Sequence, residues 1–508
     1  MARITKTIIE PLPLFCAVLA ITKADCQAIQ FQPSTGKIGK IPHVCPDDNK
    51  RKEAVISIFA AAQNNSVKDL SRTENHHILL DSTSQCRLVS GAIVIRVASF
   101  LFPVQTRVTP WNVLKQRDFG FFWVSLLFSA IGTQISAVAI AWQVYQITDS
   151  PLQLGLTGLF RALPVMILSL PGGVLADRMD RRKLLIVTQS LAAILSLTLG
   201  ALTSTGKIQV WQIYAVTFLS GAVGIFDAPA RTAMIPALVS ADQLASAYAL
   251  NITWRQIATL AGPFVGGIVL DAWGISQAYY LDAASFLTVI LCLASMRRQV
   301  KPVMERKESP LESVRAGFNF IRESSVILAL MTMDACVQFF GAYRSMMPVF
   351  ARDILASGPS TLGLLLGVPA LGALAGSGVV LAAGNPRRKG QLIIGVTLIY
   401  TTGLICFALS RSLLLSLTIV FCLGLVDAVG ETLRDTLVQL TTPDAIRGRI
   451  KSFDQVFMSA GTYLGHAQMG AAASLFGVPG ALVIGGCVGS AAVLTIAKFS
   501  RSLRSIAS

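Results

Sequence analysis

The chain has 508 residues, 53% of them hydrophobic and only 14% charged, with a mean hydropathy of +0.61. Globular domains carry about 25% charged residues, so this composition excludes an ordinary soluble protein, and it excludes a disordered one, which would be polar. The net charge of +16, from 43 Lys and Arg against 27 Asp and Glu, would suggest nucleic acid in a soluble chain; here its placement along the chain reads as membrane orientation, and no nucleic-acid partner is expected.

Residues 1–107 do not match the rest. They hold His43, His76 and His77 of the four histidines, and four of the nine cysteines. Their apolar runs are short or broken: Leu12 to Ile21 is too short to span a bilayer, and Leu88 to Val104 is interrupted by Arg96 and Pro103. No methionine occurs between Met1 and Met166. The segment is expected to be a non-conforming N-terminal extension, either disordered or the product of a start-site artefact, with the natural start at an internal codon such as that of Val108.

From Phe119 onward twelve apolar segments follow, at about 119–147, 151–176, 184–204, 209–231, 248–272, 275–296, 325–350, 359–383, 391–410, 413–438, 452–476 and 479–498. Each is long enough to cross about 30 Å of hydrocarbon at 1.5 Å per residue. The expected class is an all-α integral membrane protein: a six-helix lobe (108–296), a basic linker (297–324), a second six-helix lobe (325–500) and a short tail (501–508). With both ends on one side, that side receives 23 basic residues from Val108 onward and the opposite loops only Lys207, Arg352 and Arg411. Lys/Arg bias of this kind marks the cytoplasmic face, so both termini and the linker are expected there.

The halves repeat. Phe226-Asp227-Ala228-Pro229-Ala230-Arg231-Thr232 at the end of span 4 reads against Val426-Asp427-Ala428-Val429-Gly430-Glu431-Thr432 at the end of span 10. A parallel six-plus-six repeat suits a two-lobed transporter with a midplane site.

Between spans 2 and 3 stands Gly173-Val174-Leu175-Ala176-Asp177-Arg178-Met179-Asp180-Arg181-Arg182-Lys183. Gly173 permits close helix approach, Asp177 suits a neighbouring helix N-terminus, and the cations anchor the loop. The block resembles the signature loop of the major facilitator superfamily, with Asp180 where that family usually has Gly; Asp tolerates the left-handed turn expected there. Ala258-Thr259-Leu260-Ala261-Gly262-Pro263-Phe264-Val265-Gly266-Gly267 in span 5 resembles the superfamily's exporter and antiporter motif, carried here by Gly262, Pro263, Gly266 and Gly267. Ile147-Thr148-Asp149-Ser150-Pro151 and Gln439-Leu440-Thr441-Thr442-Pro443 are similar to the enterobactin exporter and macrolide-efflux branch. The resemblance covers residues 110–500. It implies a monomeric drug or siderophore exporter of the bacterial inner membrane, driven by proton entry through alternating access. Its partners would be a small-molecule substrate, protons and the lipid bilayer, with no cofactor or metal. An importer or lipid transporter on the same scaffold, or a non-transporting receptor, stays open.

An ionisable group at bilayer depth costs about 2.5–3.5 kcal/mol even on insertion scales, so each one is expected to face protein or water. Asp334 in span 7 is a proton-coupling candidate, because a carboxyl in apolar surroundings can load and release a proton near physiological pH; the alternative is a packed Asp–Arg pair. Arg161 in span 2 could bind an anionic substrate or a carboxylate. Arg344 reads as a snorkelling residue, Asp282 as an interfacial cap, and His466 as a packed imidazole. Asp227 is expected to meet Arg181 or Arg178, and Asp427 to meet Arg387 or Arg388, as a conformational lock. In the family resembled, spans 1, 4, 7 and 10 line the cavity, which adds Gln134, Gln143 and Tyr343 as substrate candidates. No phosphate-binding loop, catalytic triad or HExxH pattern is present, so the chain is not read as an enzyme.

Overall fold

The computed structural model describes residues 28–32, 37–41, 78–79, 110–296, 320–322, 324–384, 386, 388–443 and 446–500, with backbone alone at the three strands, 110–111, 169–178, 449, 452, 455–457 and 460. Contacts divide the chain at Arg107/Val108 into two units. In the first, β1 (Ala28–Gln32) pairs antiparallel with β2 (Lys37–Ile41) and with β3 (Ile78–Leu79), in the order β2-β1-β3. The register sets Ala28 opposite Ile41 and Ile29 opposite Ile78. The expected linker falls outside the described residues except for 320–322 and 324, as does the tail.

The second unit opens with a short helical turn, Pro110–Leu114, and continues as long helices. The first lobe contains α1 (Arg117–Thr148), α2 (Pro151–Arg178), α3 (Arg181–Ser204), α4 (Val210–Leu238), α5 (Leu244–Trp273) and α6 (Ile275–Ser295). The second contains α7 (Ser325–Phe340), α8 (Pro359–Ala383), α9 (Lys389–Leu409) and α10 (Leu413–Thr441). Its last stretch, Arg447–Phe499, is continuous except at Gly477, whose φ of 72° and ψ of 161° break it into α11 (447–476) and α12 (478–499). Among the described residues eleven helical stretches are long and apolar enough to cross a membrane, the last being the bent Gly461–Phe499; counted at the bend, there are twelve rods. A helix satisfies every backbone donor and acceptor within itself, which is why hydrocarbon selects it. Phe128, Ile194, Ile268, Leu291, Leu374 and Leu414 are exposed on the outside of the bundle, as lipid-facing side chains should be.

Span 7 departs from the expected single helix over 325–350. α7 stops at Phe340, and the chain continues as a 3-10 turn (Tyr343–Met346), a helical turn (Met347–Val349) and a π-helical turn (Phe350–Ile354). Two residues cause this. A Cβ at Gly341 would stand 2.6 Å from the Val337 carbonyl oxygen, and Pro348 lacks the N–H that helical continuation needs.

The side on which α1 begins and α12 ends is termed the base, and the opposite side the rim. Within the first lobe α1 packs on α5 and α6, α3 on α4 and α6, and α2 on α4; within the second, α10 packs on α8 and α9. The lobes meet through two equivalent helix pairs, α2 with α11 and α5 with α8. Each pair crosses glycine on glycine. A Cβ on Gly155 would lie 2.8 Å from the Cα of Gly470, and one on Gly267 would lie 3.0 Å from the Cα of Gly363. No side chain fits at these four points, so the backbones touch as in small-residue crossings of membrane helices.

Both crossings lie in the rim half, and two polar clasps close the rim above them. In one, Arg352 Nη1 is 2.6 Å from Asp149 Oδ1, the Arg352 guanidinium covers the Tyr145 ring at 5.3 Å, and the Tyr145 hydroxyl donates to Asp353. In the other, Ser360 Oγ donates to Asp271 Oδ2 at 2.6 Å. Overpacking a tight contact costs about 1–3 kcal/mol, enough to change a closed-to-open ratio about 5- to 150-fold. Gly155→Leu and Gly363→Leu are therefore expected to part the rim, and Arg352→Ala to do so more weakly, since its clasp is half exposed. Spin labels on the rim loops at Lys207 and Arg411 measure this as a longer distance between the lobes; unchanged distances would contradict it.

Candidate functional site

Below the glycine crossings the lobes enclose a cavity of about 240 Å³. The first lobe contributes Gln134 from α1, Arg161 from α2 and Thr259 from α5; the second contributes Arg344, with Tyr463 and His466 from α11. Arg161 and Arg344 come from opposite lobes, and both are exposed to this space. His466 stands against Gly158, where a Cβ would come within 2.9 Å of its Nδ1, and it feels the charge of both arginines. No Asp or Glu is among the described residues lining the cavity. Arg344 is thus not a snorkelling residue. The break at Gly341 turns the chain inward and places Arg344 at the cavity wall.

Two other substrate candidates lie away from this space. Gln143 is 3% exposed; its Nε2 donates to Thr203 Oγ1 at 3.0 Å, and its Oε1 accepts from the Tyr279 hydroxyl at 2.8 Å. It therefore ties α1 to α3 and α6. Tyr343 is buried in the second lobe, edge-on to Phe407 with ring centroids 5.8 Å apart. The residues named as the exporter motif pack helices: Gly262 seats Gln134, Gly266 lies against Ile135 and Val138 of α1, and Gly267 makes the α8 crossing. Pro263 lines the central cavity.

Asp227 does not meet Arg181. It pairs with Arg231 one turn along α4 and accepts from Thr188 Oγ1 at 3.1 Å and Gln189 Nε2 at 2.6 Å, while Arg181 donates to the Ala233 carbonyl oxygen at 3.0 Å. Both contacts hold α3 to α4 within one lobe. Gly173, Asp177 and Arg178 lie where only the backbone is described. Asp180 does not take a left-handed turn: its φ is −60°, and its Oδ1 accepts from the backbone N–H groups of Arg182 and Lys183 at 2.9 and 3.1 Å. It caps α3 with a side-chain acceptor that a Gly lacks. Arg387 lies outside the described residues; Asp427 is half-buried and sits in electrostatic range of Arg344, Tyr400 and Asp334.

Asp334 is held by Arg434 of α10, Nη2 to Oδ1 2.7 Å, with both side chains almost fully buried. This is the geometry of the packed pair. Sequence reading missed the rim clasp and the environment of Asp282. The latter is not an interfacial cap but is 3% exposed in the interior of the first lobe. Its signal was its position, seven residues into an α6 with no other charged residue, where an end cap has no place. Removing one partner of a buried ion pair costs about 3–5 kcal/mol, whereas replacing both is far cheaper. Arg434→Gln is therefore expected to lower thermal stability in detergent sharply, and adding Asp334→Asn to restore most of it. Equal losses in the single and double variants would contradict the pairing.

Residues 108–506 match the transmembrane secretion effector family. The enterobactin exporter EntS of Shigella boydii is 27% identical over 362 residues, covering 71% of this chain and 86% of that protein. The enterobactin exporters EntS of Escherichia coli match to the same extent, 27% over 362 residues. A bacterial homologue of the human lysosomal transporter Spinster, inward-facing and unoccupied, shares the fold with a TM-score of 0.60 at 14% identity, over 76% of this chain and 96% of that one. A bacterial homologue of the iron transporter ferroportin, also inward-facing, does so with a TM-score of 0.59 at 15% identity, over 77% and 99%. The chain belongs to the transmembrane secretion effector family, and it is a multi-pass secondary transporter of the major facilitator fold, not an enzyme.

Proposed function

We propose that this transporter works as a monomer in a bacterial inner membrane, with its base in the cytoplasm, and exports a small amphipathic molecule bearing acidic groups in exchange for protons. Such a molecule is of the siderophore or drug class. The observation that carries the reading is the pair Arg161 and Arg344, one from each lobe, facing a single cavity without a lining carboxylate among the described residues. Among the described residues neither guanidinium makes an ion pair; a charge at bilayer depth is costly, and an anion bridging the two lowers that cost while joining the lobes. Gln134, Thr259 and Tyr463 add hydrogen-bonding and aromatic surface. The export direction rests on the similarity to enterobactin exporters, and the cytoplasmic base on the Lys/Arg bias. With the rim shut, loading is from the base, and rocking about the two glycine crossings releases the cargo at the rim.

Everted membrane vesicles with an acid interior test this. They are expected to accumulate enterobactin or the disulfonated dye lucifer yellow, and not the cation ethidium. A hydrogen bond to a charged group contributes about 1.5–3 kcal/mol, so Arg161→Gln and Arg344→Gln should each weaken lucifer yellow binding about ten- to a hundredfold. Uptake of ethidium in preference to the anions, or unchanged binding in both variants, overturns the reading.

A further inference from the structure

A second cavity, of about 200 Å³, lies wholly inside the first lobe. Asp282 of α6 forms part of its wall, with Ser136 of α1, Ser196 of α3 and Asp227 and Arg231 of α4. Ser196 Oγ donates to Asp282 Oδ2 at 2.6 Å, and Ser136 bonds the same carboxyl. Asp282 Oδ1 is buried and has no hydrogen-bond partner among the described residues. α1 comes this close because residue 132 is glycine: a Cβ there would lie 3.1 Å from that oxygen.

Among the described side chains three carboxyl groups are buried: Asp227, Asp282 and Asp334. Asp227 has Arg231 and Asp334 has Arg434. Among the described residues Asp282 has only hydroxyls. The titratable and charged groups around it are few. Tyr279, one turn away on α6, gives its hydroxyl hydrogen to Gln143. α1 and α3 carry charge only towards the base, at Arg117, Asp118, Arg181, Arg182 and Lys183, and α5 carries Arg255 and Asp271 away from this level. α4 offers the already paired Asp227 and Arg231, and α2 offers Arg161. A carboxylate with no cation at such a site is far costlier than a carboxylic acid.

We propose that Asp282 carries the proton that this transporter exchanges, held on Oδ1 inside the first lobe and reached from the central cavity past Arg161. Ala137, Ile140, Arg161 and Thr217 line both cavities, so a proton leaving Oδ1 has a short polar route between them. The step is cleavage and re-formation of one O–H bond, the proton passing to solvent in the central cavity and the electron pair staying on the carboxylate. Arg161 stands in the shared wall, so the charge on Asp282 alters the potential at the substrate position. The assignment rests on the proton-exchange reading above, and it moves the exchanging group away from Asp334, whose charge Arg434 already holds.

Infrared difference spectra of the full chain in lipid nanodiscs, titrated with pH, test the site independently of transport. A protonated-carboxyl band is expected that titrates, shifts on ¹³C-Asp labelling and vanishes in Asp282→Asn. If that variant does not fold, persistence of the band in Asp227→Asn and in Asp334→Asn supports the assignment, and its loss in either overturns it. A band unchanged in folded Asp282→Asn, or one removed by adding sodium at fixed pH, also overturns it. In proteoliposomes Asp282→Asn should keep downhill exchange of lucifer yellow, lose accumulation under a proton gradient, and make dye binding independent of pH; retained accumulation overturns the proposal. Failure of the wild-type protein to move any anion would count against the exporter reading alone, because the infrared result still decides Asp282.

Discussion

Hydrocarbon offers a buried charge no water to fall back on, and the interior of both lobes is arranged around that constraint. Asp334 and Arg434 neutralise each other at 2.7 Å. Asp227 takes an arginine, a threonine and a glutamine, and in doing so fastens α3 to α4. Gln143 fastens α1, α3 and α6 through a tyrosine and a threonine. These polar groups are spent on holding each lobe together. Arg161 and Arg344 instead face the central cavity, and Asp282, though it accepts from Ser196, makes no ion pair among the described residues.

The second organising fact is the repeat, which is clearer in the backbone than in the side chains. The chain turns through a left-handed residue after α1 at Asp149 and after span 7 at Ala356. A proline then opens the next helix, Pro151 in α2 and Pro359 in α8, and a glycine one turn later makes the inter-lobe crossing, Gly155 and Gly363. Their partners, Gly470 and Gly267, are equivalent in turn. Exchange of the two halves therefore maps one crossing onto the other, as a parallel repeat about an axis along the membrane normal requires.

Length and hydropathy made the twelve rods legible, because a membrane helix has to announce itself in consecutive apolar residues. The span 5 glycines were legible as packing residues, and their contacts with α1 and α8 give that packing its addresses. Partner choice was not legible. Asp227 has Arg231 one turn along its own helix, and what the sequence does not show is that α3 brings Thr188 and Gln189 to it while Arg181 goes to the Ala233 carbonyl. Arg344 reads as an end residue only if span 7 is one straight helix; Gly341 and Pro348, both visible in the sequence, mark the break that brings it inward. Tyr343 and Gln143 fit the expected cavity-lining helices, but a helix number does not say which face looks inward.

The hairpins at the rim carry a mechanical consequence. A single residue, Gly274 at φ 87°, joins α5 to α6, and Gly477 at φ 72° joins α11 to α12. Such one-residue elbows leave no slack. When α5 tilts against α8, it has to drag α6 with it as a stiff fork, and with α6 goes the carboxyl of Asp282, so the geometry around that group is levered by the same stroke that parts the lobes.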